Sequence, residues 1–181
     1  MPELHLLGIC GSLRQASANR GLLRAAQAVL PDHVTMDIAE LGDVPFYNSD
    51  IEATPESAKR LLAQIQAADA LVLACPEYNY SIAPALKNAL DWASREPENR
   101  LLSGKTVAIV GAGGGMGTSR SQYHLRQVCV CLNLHVINKP EVFVSAFEGH
   151  FDTAGDVVSQ TVRDQLAAQM QALAELTRKL A

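Results

Sequence analysis

The sequence predicts an open three-layer α/β sandwich, in which helices cover both faces of a parallel β-sheet. Short runs rich in Val, Ile and Leu alternate along the chain with segments whose apolar residues recur at helical spacing. The runs are apolar throughout, a pattern typical of parallel strands that are buried on both faces. Crossover helices between such strands supply the cover.

Five strands and five helices are predicted. The strands lie at 4–10, 34–38, 70–75, 106–110 and 134–136. The helices lie at 19–29, 55–67, 83–94, 119–132 and 157–180. Because the chain has 181 residues, no internal repeat and no long linker, we expect a single domain over residues 1–181.

Composition and charge exclude several classes of protein. The chain is 48% hydrophobic and 19% charged, which is typical of a globular protein. A net charge of -4 disfavours nucleic acids and anionic membranes as partners. No segment approaches the roughly 20 apolar residues that span a bilayer, and the first ten residues have no cationic lead. We therefore expect a cytoplasmic protein without a membrane segment.

The cysteines favour a reducing compartment and no metal. All four lie in apolar stretches, where a cysteine behaves as a small buried hydrophobe: Cys10, Cys75, Cys129 and Cys131. Cys129 and Cys131 form the only close pair, but on a helix they point to different sides and no nearby histidine completes a site. No metal site is predicted.

In open α/β sheets, ligands bind outside the carboxyl ends of the strands, so the loops after the first, third and fourth strands are the candidates. The first loop, GSLRQASANR at 11–20, leads directly into a helix. The helix start, the hydroxyls of Ser12 and Ser17, and the Arg14 guanidinium together suit a phosphate. The alternative is that Ser17 or Asn19 only caps the helix and Arg14 is a solvated surface residue. No Gly-Lys-Ser/Thr sequence follows, which disfavours a nucleoside triphosphate.

The loop after the third strand, within PEYNYSIAPALKNALDW at 76–92, presents aromatic and amide groups between two prolines. Pro76 ends the strand and Pro84 suits the first turn of the next helix. Backbone N–H groups between them suit the polar edge of a planar ring, which Tyr78 or Tyr80 would cover. Tyrosine is equally suited to packing or to contact with a partner, so this alternative stays open.

The loop after the fourth strand, GAGGGMGT at 111–118, is rich in glycine, and a flat ligand can approach a backbone that lacks side chains. A dinucleotide fingerprint is not formed, because the last glycine falls at the wrong step and no acidic residue occurs at 112–140. A purely structural role is the alternative. The phosphate cradle, ring-edge contact and glycine surface together match flavin mononucleotide (FMN).

Three segments of the chain resemble the flavodoxin-like NADPH-dependent FMN reductase family, in its quinone and chromate reductase branch. These segments are GSLRQASANR, PEYNYSIAPALKNALDW and GKTVAIVGAGGGMGTSRSQYHLRQV. The resemblance covers nearly the whole chain. It implies a flavodoxin-like sandwich with a five-stranded parallel sheet of order 2-1-3-4-5. It also implies FMN as the cofactor and NAD(P)H as the co-substrate.

The same resemblance implies the site residues. Those at the FMN phosphate are Ser12, Arg14, Ser17 and Asn19. Those along the isoalloxazine, mostly through main chain, are Pro76, Glu77, Tyr78 and Asn79. Those beside the ring in the glycine loop are Gly111, Gly113 and Gly114.

Members of the family associate as homodimers or homotetramers. By resemblance, the candidate contacts between subunits near the flavin are Tyr80, Arg120, Tyr123 and Glu141. The glycine loop is richer in glycine than in some relatives, so the resemblance does not define the acceptor pocket. The tail after residue 146 matches more loosely, and no site residue is assigned there.

The predicted function is an FMN-dependent NAD(P)H oxidoreductase that reduces quinones or similar acceptors, such as free flavin, azo compounds or chromate, in a ping-pong cycle. The flavin N5 accepts the hydride, so no catalytic side chain is predicted. His124 is the one histidine of interest, since it follows the glycine loop. The alternatives are an electron-transfer flavodoxin without NAD(P)H turnover, for which a charge of -4 is mild, and a phosphate-binding module without flavin. The residues do not distinguish acceptors, NADPH from NADH, or dimer from tetramer.

Overall fold

The computed structural model describes residues 2–181, which form a parallel sheet between two helical layers. The strands are β1 (Leu4–Cys10), β2 (Val34–Ala39), β3 (Ala70–Ala74), β4 (Glu77–Tyr78), β5 (Ser81–Ile82), β6 (Thr106–Gly113), β7 (His135–Val136) and β8 (Val142–Ser145). The helices are α1 (Ala18–Ala28), α2 (Glu56–Ala67), α3 (Pro84–Ala93), α4 (Ser119–Cys131) and α5 (Gln160–Leu180).

The main sheet has the order β2-β1-β3-β6-β7, with β8 also paired to β6, and all of these pairs are parallel. This confirms the predicted flavodoxin-like sandwich. The strand β6 is the predicted fourth strand, and β7 and β8 together occupy the fifth position. The sheet therefore has six strands by count and five strand positions.

The two faces of the sheet bury alternate residues of the same strands. On one face, Leu6 and Val72 pack with the leucines of α1 and α5. On the other face, Leu7 and Leu71 pack with α2, α3 and α4. Each such side chain contributes about 1.5–3 kcal/mol when it is fully buried. Because helices cover both faces of the sheet, its central strand β3 is apolar along its whole length.

The predicted fifth strand at 134–136 corresponds to β7, and the second segment at this position of the sheet, β8, was not predicted. The chain pairs with the start of β6 through β7, leaves the sheet around Pro140, and returns through β8 beside the end of β6. Proline has no N–H to donate to a strand neighbour, and this interrupts the ladder. Pairing with β8 also extends β6 to Gly113, beyond the predicted end at residue 110.

A buried glutamine completes the sheet where the fifth strand is interrupted. The side-chain amide of Gln169 on α5 donates to the carbonyl oxygen of Ile109 at 3.0 Å and to that of Pro140 at 2.9 Å. Just before the interruption, the N–H of Ile137 donates to Val107 in the ordinary strand pattern. Gln169 therefore replaces the missing strand donor on this side of β6.

The α5 helix begins at Gln160, three residues later than the predicted start at 157. A turn delays it: the N–H of Asp152 donates to Asp156, and Phe151 forms a β-bridge with Val157. The other predicted helices match to within one or two residues at each end. Among residues 2–181, no helix combines the length and the apolar character that crossing a membrane requires.

We predict that Gln169→Leu lowers the free energy of unfolding by about 2–4 kcal/mol, because a buried carbonyl at Ile109 and a half-buried one at Pro140 lose their donor. Urea unfolding followed by circular dichroism measures the change. Gln171→Leu is the matched control, since Gln171 lies on the same helix and its amide donates only to the exposed Glu175. An equal loss of stability in the two variants would contradict the role of Gln169 as a replacement for the missing strand donor.

Candidate functional site

Three loops meet at the carboxyl edge of the sheet, because parallel strands all end there. They follow β1, β3 and β6, and a cavity of about 230 Å³ lies between them. All but two of the predicted FMN contacts line this cavity: Ser12, Arg14, Ser17, Asn19, Pro76, Glu77, Tyr78, Gly113 and Gly114. The two that do not are Asn79 and Gly111.

The first loop shapes the start of α1. The hydroxyl of Ser17 caps the helix by accepting the N–H of Arg20 at 3.3 Å, and the hydroxyl of Ser12 accepts the N–H of Arg14 at 3.4 Å. Both serines are buried and Arg14 is exposed. The first turn of α1 carries no acidic side chain, so the positive end of the helix dipole faces the cavity without a competing charge.

Asn19 joins the first loop to β6. Its amide donates to the carbonyl of Ala112 at 2.8 Å and accepts the N–H of Ala112 at 3.0 Å. The neighbouring strand β3 ends at Ala74, so β6 has no strand partner for these two backbone groups. Asn19 takes the place of that partner. It lines the cavity while both ends of its amide hold the two loops in position.

The chain after β3 forms a β-hairpin, which the sequence analysis did not predict. The strands β4 and β5 pair antiparallel across Asn79 and Tyr80, whose φ angles are 50° and 67°. Positive φ at both central residues defines a type I′ turn, and asparagine is among the residues that favour it. Asn79 therefore lies at the exposed tip of the hairpin, which explains its absence from the cavity lining.

Glu77 fixes the hairpin to α4. Its side chain is only 7% exposed, forms an ion pair with Arg120, and accepts the N–H of Ser121 at 3.3 Å in the first turn of the helix. The guanidinium of Arg120 also lies 3.7 Å from the centre of the Tyr80 ring. Arg120 and Tyr80, predicted as contacts between subunits, are thus engaged with each other within the chain.

The side chains of the other two predicted subunit contacts lie close to each other. Tyr123 is exposed on α4, and the carboxylate of Glu141 pairs with the ammonium of Lys139 at 2.6 Å. The hydrogen bond from Lys139 lowers the pKa of Glu141. Glu141 is therefore ionised at neutral pH.

Packing explains two of the three glycines singled out in the fourth loop. A side chain at Gly111 would overlap with the hydroxyl of Thr118, and one at Gly113 would overlap with the carbonyl of Gly117. Both positions lie in β6, where the loop folds back on the strand. Gly114 is different: the nearest atom to an added Cβ is on Phe147, at 3.9 Å. Only Gly114 leaves open room toward the cavity.

The thiols near this edge are poor nucleophiles. Burial raises the pKa of Cys75 to about 11 and also raises that of Cys10, so both stay protonated at neutral pH. The ring of His124 is paired with the Ser81 hydroxyl at 3.0 Å, on an exposed part of the hairpin that does not line the cavity. Within residues 2–181, no group of three His, Cys, Asp or Glu side chains is placed to hold a metal ion.

The sheet order and the cavity at its carboxyl edge define a flavodoxin-like α/β protein. The sequence profile of the NADPH-dependent FMN reductase family matches residues 4–149. An NAD(P)H-dependent FMN reductase of Pseudomonas aeruginosa is 45% identical over 181 residues, covering 98% of this chain and 97% of that protein. An NAD(P)H:quinone oxidoreductase of Solanum tuberosum is 44% identical over 187 residues, covering 99% and 95%.

Among solved structures, the flavoenzyme NAD(P)H:(acceptor) oxidoreductase of Paracoccus denitrificans superposes with a TM-score of 0.87 at 28% identity, over 97% of this chain and 98% of that one. The chain belongs to the NADPH-dependent FMN reductase family. The family predicted from the three loop sequences is confirmed, and so is the predicted class of enzyme.

We predict that Asn19→Ala weakens FMN binding by at least tenfold and lowers the free energy of unfolding by about 2–4 kcal/mol, because both backbone groups of Ala112 lose their partner. Fluorescence titration with FMN and urea unfolding measure the two effects. Asn138→Ala, at an exposed position outside this cavity, serves as the control. Unchanged FMN affinity and stability in Asn19→Ala would show that the hydrogen bonds between Asn19 and Ala112 are dispensable.

We predict that Glu77→Gln weakens FMN binding by about tenfold, because Arg120 loses its charged partner and the attachment of the hairpin to α4 is weakened. The amide keeps the shape of the side chain and its ability to accept the N–H of Ser121. Glu96→Gln, which removes an exposed ion pair with Arg100, is the matched control. Titration with FMN measures the affinity of both variants. Similar affinities would show that the ion pair between Glu77 and Arg120 has no role in FMN binding.

Proposed function

We propose that this protein holds one FMN in a single domain over residues 1–181 and transfers electrons from NAD(P)H to a quinone or a similar small acceptor. The observation that supports this most directly is the meeting of three segments at one cavity: the start of α1, the β4–β5 hairpin and the glycine loop. The relatives named as FMN reductase and quinone oxidoreductase support the same function.

The charges around the cavity suit the phosphate of FMN. The start of α1 offers backbone N–H groups, the hydroxyls of Ser12 and Ser17 lie beside it, and Arg14 supplies a cation. The one carboxylate in the lining, Glu77, is already neutralised by Arg120. A phosphate at this position would therefore meet donors and one cation without an unpaired negative charge.

The remaining walls suit a flat ring. Tyr78 of the hairpin and Phe147 line the cavity, as does Gly114, which leaves open space. We assign Ser12, Arg14 and Ser17 to the phosphate, and the main chain at 76–78 with Gly113 and Gly114 to the isoalloxazine. We propose that Asn19, Asn79 and Gly111 determine the shape of the loops that surround the flavin.

Bound FMN would supply the hydride acceptor and the two-electron donor. NAD(P)H gives up one hydride, and reduction of a quinone to a hydroquinone consumes that hydride and one further proton. The lining contains no histidine, its one carboxylate is ion-paired, and its hydroxyls, on Ser12, Ser17 and Tyr78, are weak acids, so we assign the further proton to water. The side chains of the lining therefore position the reactants and do not transfer protons themselves.

We also propose that copies of the chain associate as a homodimer or homotetramer, and that the protein works in the cytoplasm. Tyr80 is 69% exposed and contacts Arg120. Tyr123 is 56% exposed, follows Arg120 by one turn of α4 and lies beside Glu141. Large exposed aromatic side chains grouped on one side favour a protein contact. The four cysteines are free, which is consistent with a reducing compartment.

We predict that NADPH rapidly bleaches the oxidised flavin absorbance of the FMN-loaded protein, and that 1,4-benzoquinone then restores it. Anaerobic double-mixing stopped-flow absorbance measures both phases. Retention of the oxidised band after NADPH is added would contradict the reductase function and favour an electron-transfer flavodoxin. Bleaching without recovery would exclude 1,4-benzoquinone as an acceptor.

The binding of FMN to the protein has a prediction and a control of its own. Arg14→Met should weaken FMN binding by about tenfold, because a charge-assisted contact with the phosphate is lost. Arg100→Met, at an exposed position that pairs with Glu96, should leave it unchanged.

A further inference from the structure

A second and larger cavity, of about 640 Å³, adjoins the first. Its walls come from the first loop at Leu13, from the segment after β2 at Val44 and Phe46, and from the start of α3 at Pro84 and Ala85. These side chains are apolar. The volume lies within the range of small-molecule binding sites.

Two residues line both cavities. Arg14 and Tyr78 stand between them, so a ligand in the larger cavity would lie directly beside the proposed flavin site. Arg14 is also the one charged side chain in the lining of the larger cavity. The amide of Asn88 and the phenol of Tyr78 are the other polar side-chain groups in this lining, and its remaining side chains are apolar.

The outer wall of the larger cavity is held rigidly. The carbonyl of Pro45 accepts from the Asn88 amide at 2.9 Å and from the Trp92 indole N–H at 2.8 Å. The oxygen of the same Asn88 amide accepts the N–H of Tyr47 at 2.8 Å, and the Tyr47 ring packs edge-on against Trp92. These contacts fix the backbone on both sides of Phe46, which is nonetheless 74% exposed. A large apolar side chain on a fixed backbone beside an apolar cavity is suited to ligand contact.

We propose that this cavity binds the apolar side chain of a substituted quinone, whose ring then lies near Arg14 and Tyr78. The proposal rests on the function proposed above and specifies the acceptor as a quinone with an alkyl or prenyl chain. NAD(P)H fits the cavity poorly, because its phosphates and ribose would meet apolar walls beyond Arg14. An alkyl chain gains from the same walls, since each buried methylene is favourable.

Two quinones test the proposal: 1,4-benzoquinone and its decyl-substituted derivative. Calorimetric titration of the FMN-loaded protein without NAD(P)H gives their affinities, and NADPH-driven turnover gives kcat/KM. We expect the decyl derivative to bind at least about tenfold more tightly, as burial of a few methylenes requires. Two changes should remove most of this preference: Phe46→Ala, which shortens the wall, and Ala85→Leu, which fills the cavity. Neither should alter kcat/KM for the unsubstituted ring by more than about twofold.

Val130→Ala is the matched control, because Val130 is 79% exposed on α4 and lines neither cavity. Equal affinities for the two quinones, or a preference that survives both substitutions, would overturn the proposal. A change of oligomeric size in Phe46→Ala, seen by light scattering, would also overturn it and assign the cavity to a second copy of the chain. Failure of the wild-type protein to reduce either quinone after NADPH has bleached the flavin would instead overturn the proposed function, whatever the calorimetry shows.

Discussion

The need to pair every backbone group of the buried strand β6 organises much of this molecule. The sheet is covered on both faces, so an unpaired N–H or C=O in it has no water to bind. The neighbours of β6 do not extend along its whole length: β3 stops at Ala74, and the fifth strand is interrupted around Pro140. Asn19 supplies the missing partners on the first side and Gln169 supplies the missing donor on the other.

The same principle extends from the sheet to the candidate site. Buried polar side chains fix three irregular segments at the carboxyl edge: Asn19 joins the first loop to β6, Glu77 joins the hairpin to α4, and Asn88 holds the segment after β2 on α3. Each of these residues lines a cavity and is also bonded to the backbone. The loops are therefore set in position before a ligand arrives, which reduces the entropy lost on binding.

Two adjoining cavities of different character follow from this arrangement. The smaller one combines a helix start, hydroxyls and a cation, and it suits an anionic cofactor with a flat ring. The larger one is apolar apart from Arg14 and the amide of Asn88. Because Arg14 and Tyr78 belong to both, an electron donor in one and an acceptor in the other would lie side by side, which is the arrangement that a reductase requires.

The sequence by itself determined β1, β2, β3, β6 and β7, the five helices, the three loops at the sheet edge and the family, because these are recorded in periodicities and motifs of about ten residues. Only the tertiary structure decided what Asn19 and Gln169 do, since their partners lie 93 and 60 residues away along the chain. It also revealed the hairpin turn at Asn79 and the packing that requires Gly111. A hydrogen bond between distant residues leaves no local pattern, because it depends on where β3 and the fifth strand end in space.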